Sequence, residues 1–475
     1  MKKTILTILM CAFSCGIFAQ TSNTIYFDKY NYRQHHLNPS FQPIGKFYVG
    51  VPFLSTISVG GGNTDLTLTD IFRKVNVNGK EETVLFCDKN AGSGVDDFMD
   101  ALHGREQIYA NGRLDYVDAG YRINDKFYVS FNISKCFDAN VVIPEKIFEF
   151  LFKGMENGEN FDFEIDKMDL SATLYTEIAG GFSAKFDDKI TIGAKAKLLI
   201  GNGNITSNFR NLDIEANEKQ WKITGSASIK SSIYKMEYTT DEDGKIDDVK
   251  FDDDEKYNDE LTNGLGHGFA IDAGANYQIT PELNVSASVL DLGFISWSDN
   301  IQEINTREDF VYEGVPFEIS ENNAASGWWD PYKKQFQNLL KENENPEKYT
   351  NWLCTKLLIG GEYTFLDGLL SAGLLSKTYF KRKSTREELI IAGGVRPNKH
   401  FSGTFNYSFF NGWNNIGIGL NCNAGPINIF AAMDHIPLRY AKMSDAKVPC
   451  YLRDTRVTLG LGVVIGYNKE DKNNY

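Results

Sequence analysis

Beyond Phe13 the chain never reaches the eighteen or so continuous apolar residues that a membrane-crossing helix requires. Cysteine is scarce, at 7 in 475 residues. Once residues 1–19 are set aside, Cys87, Cys136, Cys354, Cys422 and Cys450 remain, with no CxxC pair and no histidine at ligand spacing. That odd, wide set makes neither a disulfide framework nor a zinc site. Positive charge is also short. There are 49 basic against 63 acidic residues, and loss of Lys2 and Lys3 moves the net charge from −14 to −16. Such a balance excludes nucleic acid as a partner, because binding its backbone needs clustered Lys and Arg. GxSxG, HExxH and Walker patterns are all missing, so no enzyme and no cofactor are expected.

What is present begins with an export signal. Lys2 and Lys3 precede an apolar core over 4–13, and Ala19-Gln20 is the expected cleavage point. A rival reading takes Ala12-Phe13-Ser14-Cys15 as a degenerate lipoprotein box with Cys15 lipidated.

The strongest signal in the mature chain is a period of two. Phe401-Ser402-Gly403-Thr404-Phe405-Asn406-Tyr407-Ser408-Phe409 alternates apolar or Gly with polar residues, and 271–279 and 283–289 do the same. Strand side chains alternate faces, so each stretch has one greasy and one polar side. Such stretches pair around short turns at Asn124-Asp125, Asp187-Asp188, Thr280-Pro281, Leu366-Asp367-Gly368, Arg396-Pro397-Asn398-Lys399 and Ala424-Gly425-Pro426. Six hairpins, a first strand near 47–59 and a last near 455–467 give about fourteen strands. Segment 221–238 extends a strand above the membrane or adds a pair.

Long connections at 134–169, 202–264 and 296–351 face the short turns, the usual asymmetry of an outer-membrane barrel. Helical period occurs from Pro144 to Phe152 and from Pro331 to Asn343. The expected fold is therefore all-β, a transmembrane antiparallel barrel of about 14 strands whose long extracellular loops contain short helices. Residues 1–19 form the signal, 20–46 a leader or plug, 47–467 the barrel and 468–475 a tail.

Two blocks carry a resemblance. Tyr32-Arg33-Gln34-His35-His36-Leu37-Asn38-Pro39-Ser40-Phe41-Gln42-Pro43 resembles the Asn-Pro-small signature that opens several bacterial barrel families. Residues 269–297, with Tyr277, Asp291-Leu292-Gly293 and Trp297, resemble an exported barrel family known only as a domain of unknown function. Glu362-Tyr363 and 415–420 extend that match. The family is similar to FadL-type transporters and, more distantly, to PorV-type barrels of type IX secretion. The resemblance implies an N-terminal plug and implies no substrate. Thr458-Leu459-Gly460-Leu461-Gly462-Val463-Val464-Ile465 resembles the signal by which the barrel-assembly machinery reads a last strand.

By alternation Arg122, Glu177, Lys195, Lys197, Asp272, Glu362 and Asp434 point into the lumen. They either line a polar path and hold a plug by salt bridges, or satisfy one another in a filled, non-conducting barrel. Asn38 and Pro39 mark the plug, with a periplasmic tether as the alternative. His35-His36 is not expected to bind metal, since adjacent histidines on an extended chain point apart and no third ligand is evident. The acidic run 241–255 misses EF-hand spacing and reads as a solvated loop. Trp297, Trp328, Trp329, Trp352 and Trp413 read as an interfacial girdle, Trp328-Trp329 alternatively as a stacking platform. Asp434-His435 lacks a nucleophile.

Two functions follow. FadL-like passage of a small hydrophobic molecule predicts an apolar pocket beneath the plug and a break in the strand ladder, at Gly360-Gly361 or Gly393-Gly394. A barrel that docks or helps assemble a secreted protein predicts a filled lumen. Either way the expected surroundings are outer-membrane lipid, reached after Sec export.

Overall fold

The computed structural model describes residues 22–77, 79–153, 165–216, 221–234, 236–240, 246–251, 264–306, 310–312, 340–398, 400–410, 413–436, 440–443, 446–449 and 454–467. The signal with Cys15, the tail, Trp328-Trp329 and most of the acidic run lie outside these residues.

Fourteen antiparallel strands close on themselves. In chain order they are β1 (Gly45–Gly50 with Ile57–Asn63), β2 (Arg105–Arg122), β3 (Phe127–Pro144), β4 (Asp169–Lys185) and β5 (Ile190–Ala216). Next come β6 (Gly266–Gln278), β7 (Leu283–Trp297), β8 (Thr355–Phe365), β9 (Leu370–Lys381) and β10 (Ser384–Asn398). The wall ends with β11 (Phe401–Phe410), β12 (Trp413–Ala424), β13 (Ile427–Asp434) and β14 (Asp454–Tyr467). β14 pairs with β1, Phe47 opposite Ile465 and Ile57 opposite Leu459, which leaves no edge.

The alternation decides which face meets lipid. Ile418 and Leu420 on β12, Phe405 on β11 and Ile391 on β10 are exposed, whereas Ser402, Thr404, Asn406 and Ser408 are buried inside. An apolar exterior on a closed barrel spans a membrane. Leu420→Arg is expected to cost about 2–4 kcal/mol of insertion free energy near mid-depth. Urea titration of refolding into vesicles would read it, and an unchanged midpoint would place Leu420 off the lipid face.

Side chains shape the short turns. Asn124 Oδ1 accepts from the backbone N–H of Lys126 and Phe127, both at 2.9 Å, and Asp187 and Asn398 act alike in theirs. Gly425 takes φ +65, a conformation open to glycine.

The opposite rim departs from the sequence reading. β3 continues to Pro144 and β5 to Ala216, so ordered ribbon stands where loops were expected. Above Gly201, β5 leaves β6 and pairs with Trp221–Ile233, so 221–233 of the segment 221–238 extends above the wall, while Met236–Thr240 pairs separately with Ile246–Phe251. The first helix is present as α3 (Glu145–Lys153), after α1 (Leu68–Ile71) and α2 (Gly94–Ala101). Phe86 stacks on Phe98 at 3.9 Å, and Phe148 meets Phe98 edge-on, so these helices pack as a small cap. Of the second expected helix, 331–339 lies outside the described residues and Leu340–Glu342 is strand, paired to Ile304–Thr306.

Glycine pairs do not break the ladder. Gly360-Gly361 pairs with β7 and β9, and Gly393-Gly394 with β9 and β11. The interruption lies in β1 between Gly50 and Ile57, where Phe53 and Leu54 are exposed, although Val51 N–H and the Leu54 carbonyl still bond Leu461 of β14. Pro52 accounts for it, since a proline has no N–H for the ladder.

A leader seated in the lumen

Residues 22–44 run inside the barrel. Their first turn, Asn23–Ile25, starts at Ser22, whose side chain accepts from Thr24 N–H; their second, Tyr32–His36, starts at Asn31, which accepts from Arg33 N–H. Asn38 Oδ1 accepts from Ser40 N–H and Oγ, while its amide donates to the Ala275 and Ala287 carbonyls. The wall meets this chain with glycine. A Cβ on Gly274 would overlap the Asn38 side chain, and one on Gly460 would overlap the Arg33 guanidinium. The small residues of the inward rows are therefore the groove in which the leader lies.

Apolar residues fill one side. Ile25, Tyr26, Phe27 and Leu37 pack against Leu290, Leu358, Leu375, Ile390 and Phe430 of β7–β13. Burial pushes the Tyr26 hydroxyl up to about 12 and the Asp28 carboxyl up to about 6, although Ser402 donates to Asp28 at 2.8 Å.

Each inward charge has partners. Asp434 accepts from Ser22 Oγ at 2.7 Å and from Asn23 N–H at 2.8 Å. Glu362 pairs with Arg396, which also donates to the Phe27 carbonyl. Arg122 donates to Gln42 Oε1 at 2.8 Å and to the Pro43 carbonyl at 2.5 Å, where the leader turns into β1. Lys197 stands 3.2 Å from Glu177, 2.8 Å from Asp272 and 2.5 Å from Asp291. Lys195 Nζ lies 3.3 Å from His36 Nδ1.

Several members of these networks were not among the expected inward charges. Arg113 bonds Asp115 and Glu177 at 2.8 and 3.0 Å, and Lys356 meets Asp291. A bulge between Asp115 and Val117 reverses the parity of β2 and so hides Arg113 and Asp115. Asp291 takes φ +59, and the Trp297 ring beyond it is buried against Tyr349 rather than in a girdle.

The histidines correct the sequence reading. His35 and His36 sit on a turn, not on an extended chain, with ring centroids 4.1 Å apart. Asp118 supplies the third group, 3.7 Å from His35 Nε2 and 3.2 Å from His36 Nε2. Burial lowers His35 to about 4 and His36 well below the ordinary imidazole range. At His435, Ser408 and Glu388 both meet Nε2, an arrangement that cannot relay a proton from nucleophile through base to carboxylate.

A cavity of about 400 Å³ remains, bounded by His36 and Leu37 of the leader and, near the outer strand ends, by Asp169 and Arg382. Tyr175, Trp352, Lys381 and Asp138 also line it, so the space is mixed in character.

Residues 39–434 match a family described as of unknown function, DUF5723. The chain belongs to it. This member of DUF5723 has no match among curated proteins. Solved barrels are similar to it at low identity. A FadL homologue of Pseudomonas aeruginosa is 10% identical with a TM-score of 0.41, covering 95% of this chain and 100% of that one. The toluene transporter TbuX of Ralstonia pickettii is 9% identical with a TM-score of 0.39, covering 90% and 92%. The toluene transporter TodX of Pseudomonas putida is 10% identical with a TM-score of 0.37, covering 95% and 96%. No residue role is carried over from them. This member of DUF5723 is a membrane-spanning barrel on its own geometry, a closed wall with an apolar exterior.

Proposed function

We propose that the barrel passes a small hydrophobic molecule across the outer membrane and that the leader is its gate. One observation carries this reading. The leader covers an apolar strip, Leu290, Leu358, Leu375, Ile390 and Phe430, and the cavity reaches it at Leu290, beside Leu37 of the leader. Hydrogen bonds, ion pairs and packing hold the leader to the strip, so a shift of the leader would offer the same apolar surface to a solute. The interruption of β1 beside Phe53 and Leu54 adds a place where the wall is less than fully paired.

Locking the leader tests the reading. A Cβ built on Gly274 lies 2.9 Å from Asn38 Cγ, about the Cβ-to-Sγ separation across a disulfide, so cysteines at these two positions can tie β6 to the leader. In proteoliposomes the oxidised double variant is expected to exclude a fluorescent fatty acid that the reduced form admits. Equal entry in both states would remove the leader as gate. No entry in either would favour the docking function, which the ion-paired filling around Lys197 also supports.

A further inference from the structure

We propose that His35, His36, Asp115 and Asp118 form a site for one borderline divalent cation of the zinc class, which clasps the leader to the wall. This goes beyond the passage reading, since such a site stands whether or not the barrel conducts. Two ligands come from the leader turn Tyr32–His36 and two from β2. His36 Nε2 is 3.2 Å from Asp118 Oδ2 and 3.8 Å from Asp115 Oδ2, and His35 Nε2 is 3.7 Å from Asp118 Oδ1. A tetrahedral zinc with bonds of about 2.0–2.1 Å holds its ligands about 3.3 Å apart. His35, His36 and Asp118 offer donor atoms within 4.8 Å of one another, and Asp115, 3.8 Å from His36 Nε2, must move in as the fourth. His35 Nε2 exchanges the Tyr48 hydroxyl, 2.6 Å away, for the metal.

The surroundings point to a cation. Both carboxylates are fully buried, and buried charge demands a partner. Arg113 engages Asp115 through Oδ1 at 2.8 Å, while Oδ2, turned toward His36, has no hydrogen-bond partner. Tyr48 donates to Asp118 Oδ1 at 2.9 Å and Ser55 donates to Oδ2 at 3.3 Å, contacts that orient the carboxylate as outer-shell partners do. Lys195 approaches His36 at Nδ1, the nitrogen away from the carboxylates. Two imidazoles and two carboxylates suit zinc, cobalt or nickel better than magnesium, which prefers an all-oxygen octahedron.

The test uses the full-length barrel purified in detergent, stripped with EDTA and titrated calorimetrically with zinc chloride, then with magnesium chloride. One zinc per chain is expected, with no comparable magnesium binding. The double variant His35→Gln/His36→Gln should bind zinc at least about a hundredfold more weakly, while His400→Gln should bind as the parent does. Both substituted residues lie on the leader, and heat-modifiable migration on gels checks that each barrel is folded. Asp118→Asn repeats the test from the wall. Zinc should also slow proteolysis of residues 22–44. Absence of stoichiometric zinc in the parent, or equal affinity in the double variant, overturns the site. Zinc bound without protection of the leader overturns the clasp.

Discussion

Lys197→Met is expected to destabilise the barrel by about 3–5 kcal/mol, the usual consequence of removing one member of a buried ion network. Lys197 lies within 4.0 Å of three carboxylates, and its side chain is 5% exposed. Without it, Arg113 still serves Glu177 and Lys356 still serves Asp291. Asp272 loses its nearest cation while remaining bonded to the Asp291 N–H at 2.7 Å. The charge left behind accounts for the size of the effect, because a buried carboxylate without a cation is costly. Lys197→Met combined with Asp272→Asn should therefore recover much of the loss. Urea unfolding in detergent measures both variants. A change below about 1 kcal/mol in the single variant would show that water enters the network and screens it.

Arg33→Ala is expected to free the leader and leave the wall intact. The guanidinium is fully buried and donates to the Ser55 carbonyl at 2.7 Å, Asn428 Oδ1 at 2.8 Å and the Tyr32 hydroxyl at 2.8 Å. Hydrogen bonds to a charged group contribute about 1.5–3 kcal/mol each, so truncation should cost the docked state several kcal/mol. Hydrogen exchange should rise across 22–44 and stay unchanged in β1–β14. Gly460→Leu should do the same from the opposite side, since its side chain would occupy the place of Arg33. Because both variants remove one contact, their effects should combine to less than their sum. Wall and leader losing protection together would show that the leader is part of the barrel fold and not a separable gate.

These two sites were unequally legible in the sequence. Lys197, Glu177 and Asp272 stand on uninterrupted alternating rows, and parity alone directs them inward. Arg113 and Asp115 were lost because a single bulged residue reverses parity, and a bulge has no residue signature in β2. Arg33 was quoted only within the Asn38-Pro39 block, since nothing local says what a leader will touch. Its seat was partly readable, as Gly274 falls at an inward position of an alternating row. The histidine pair was misread because short 3₁₀ turns lack the periodicity that announces a longer helix. Above the lipid band the outward row of β3 turns polar, as at Lys135, so the continuing strand looked like a loop. Pro52 stood inside the expected first strand, where a residue without an N–H marks a break, yet the break was expected at the glycine pairs.

The ribbon that β5 forms with Trp221–Ile233 changes what the cell surface presents. Segment 203–216 rises beyond the point where β6 ends, about 45 Å of chain at about 3.3 Å per residue. A bilayer's hydrocarbon is only about 30 Å thick. The ribbon past the end of β6 is thus longer than the layer the wall crosses, like a mast above a hull. A sideways pull on the ribbon would act through a long lever on β5, which β4 flanks as far as Thr206 and β6 only as far as Gly201.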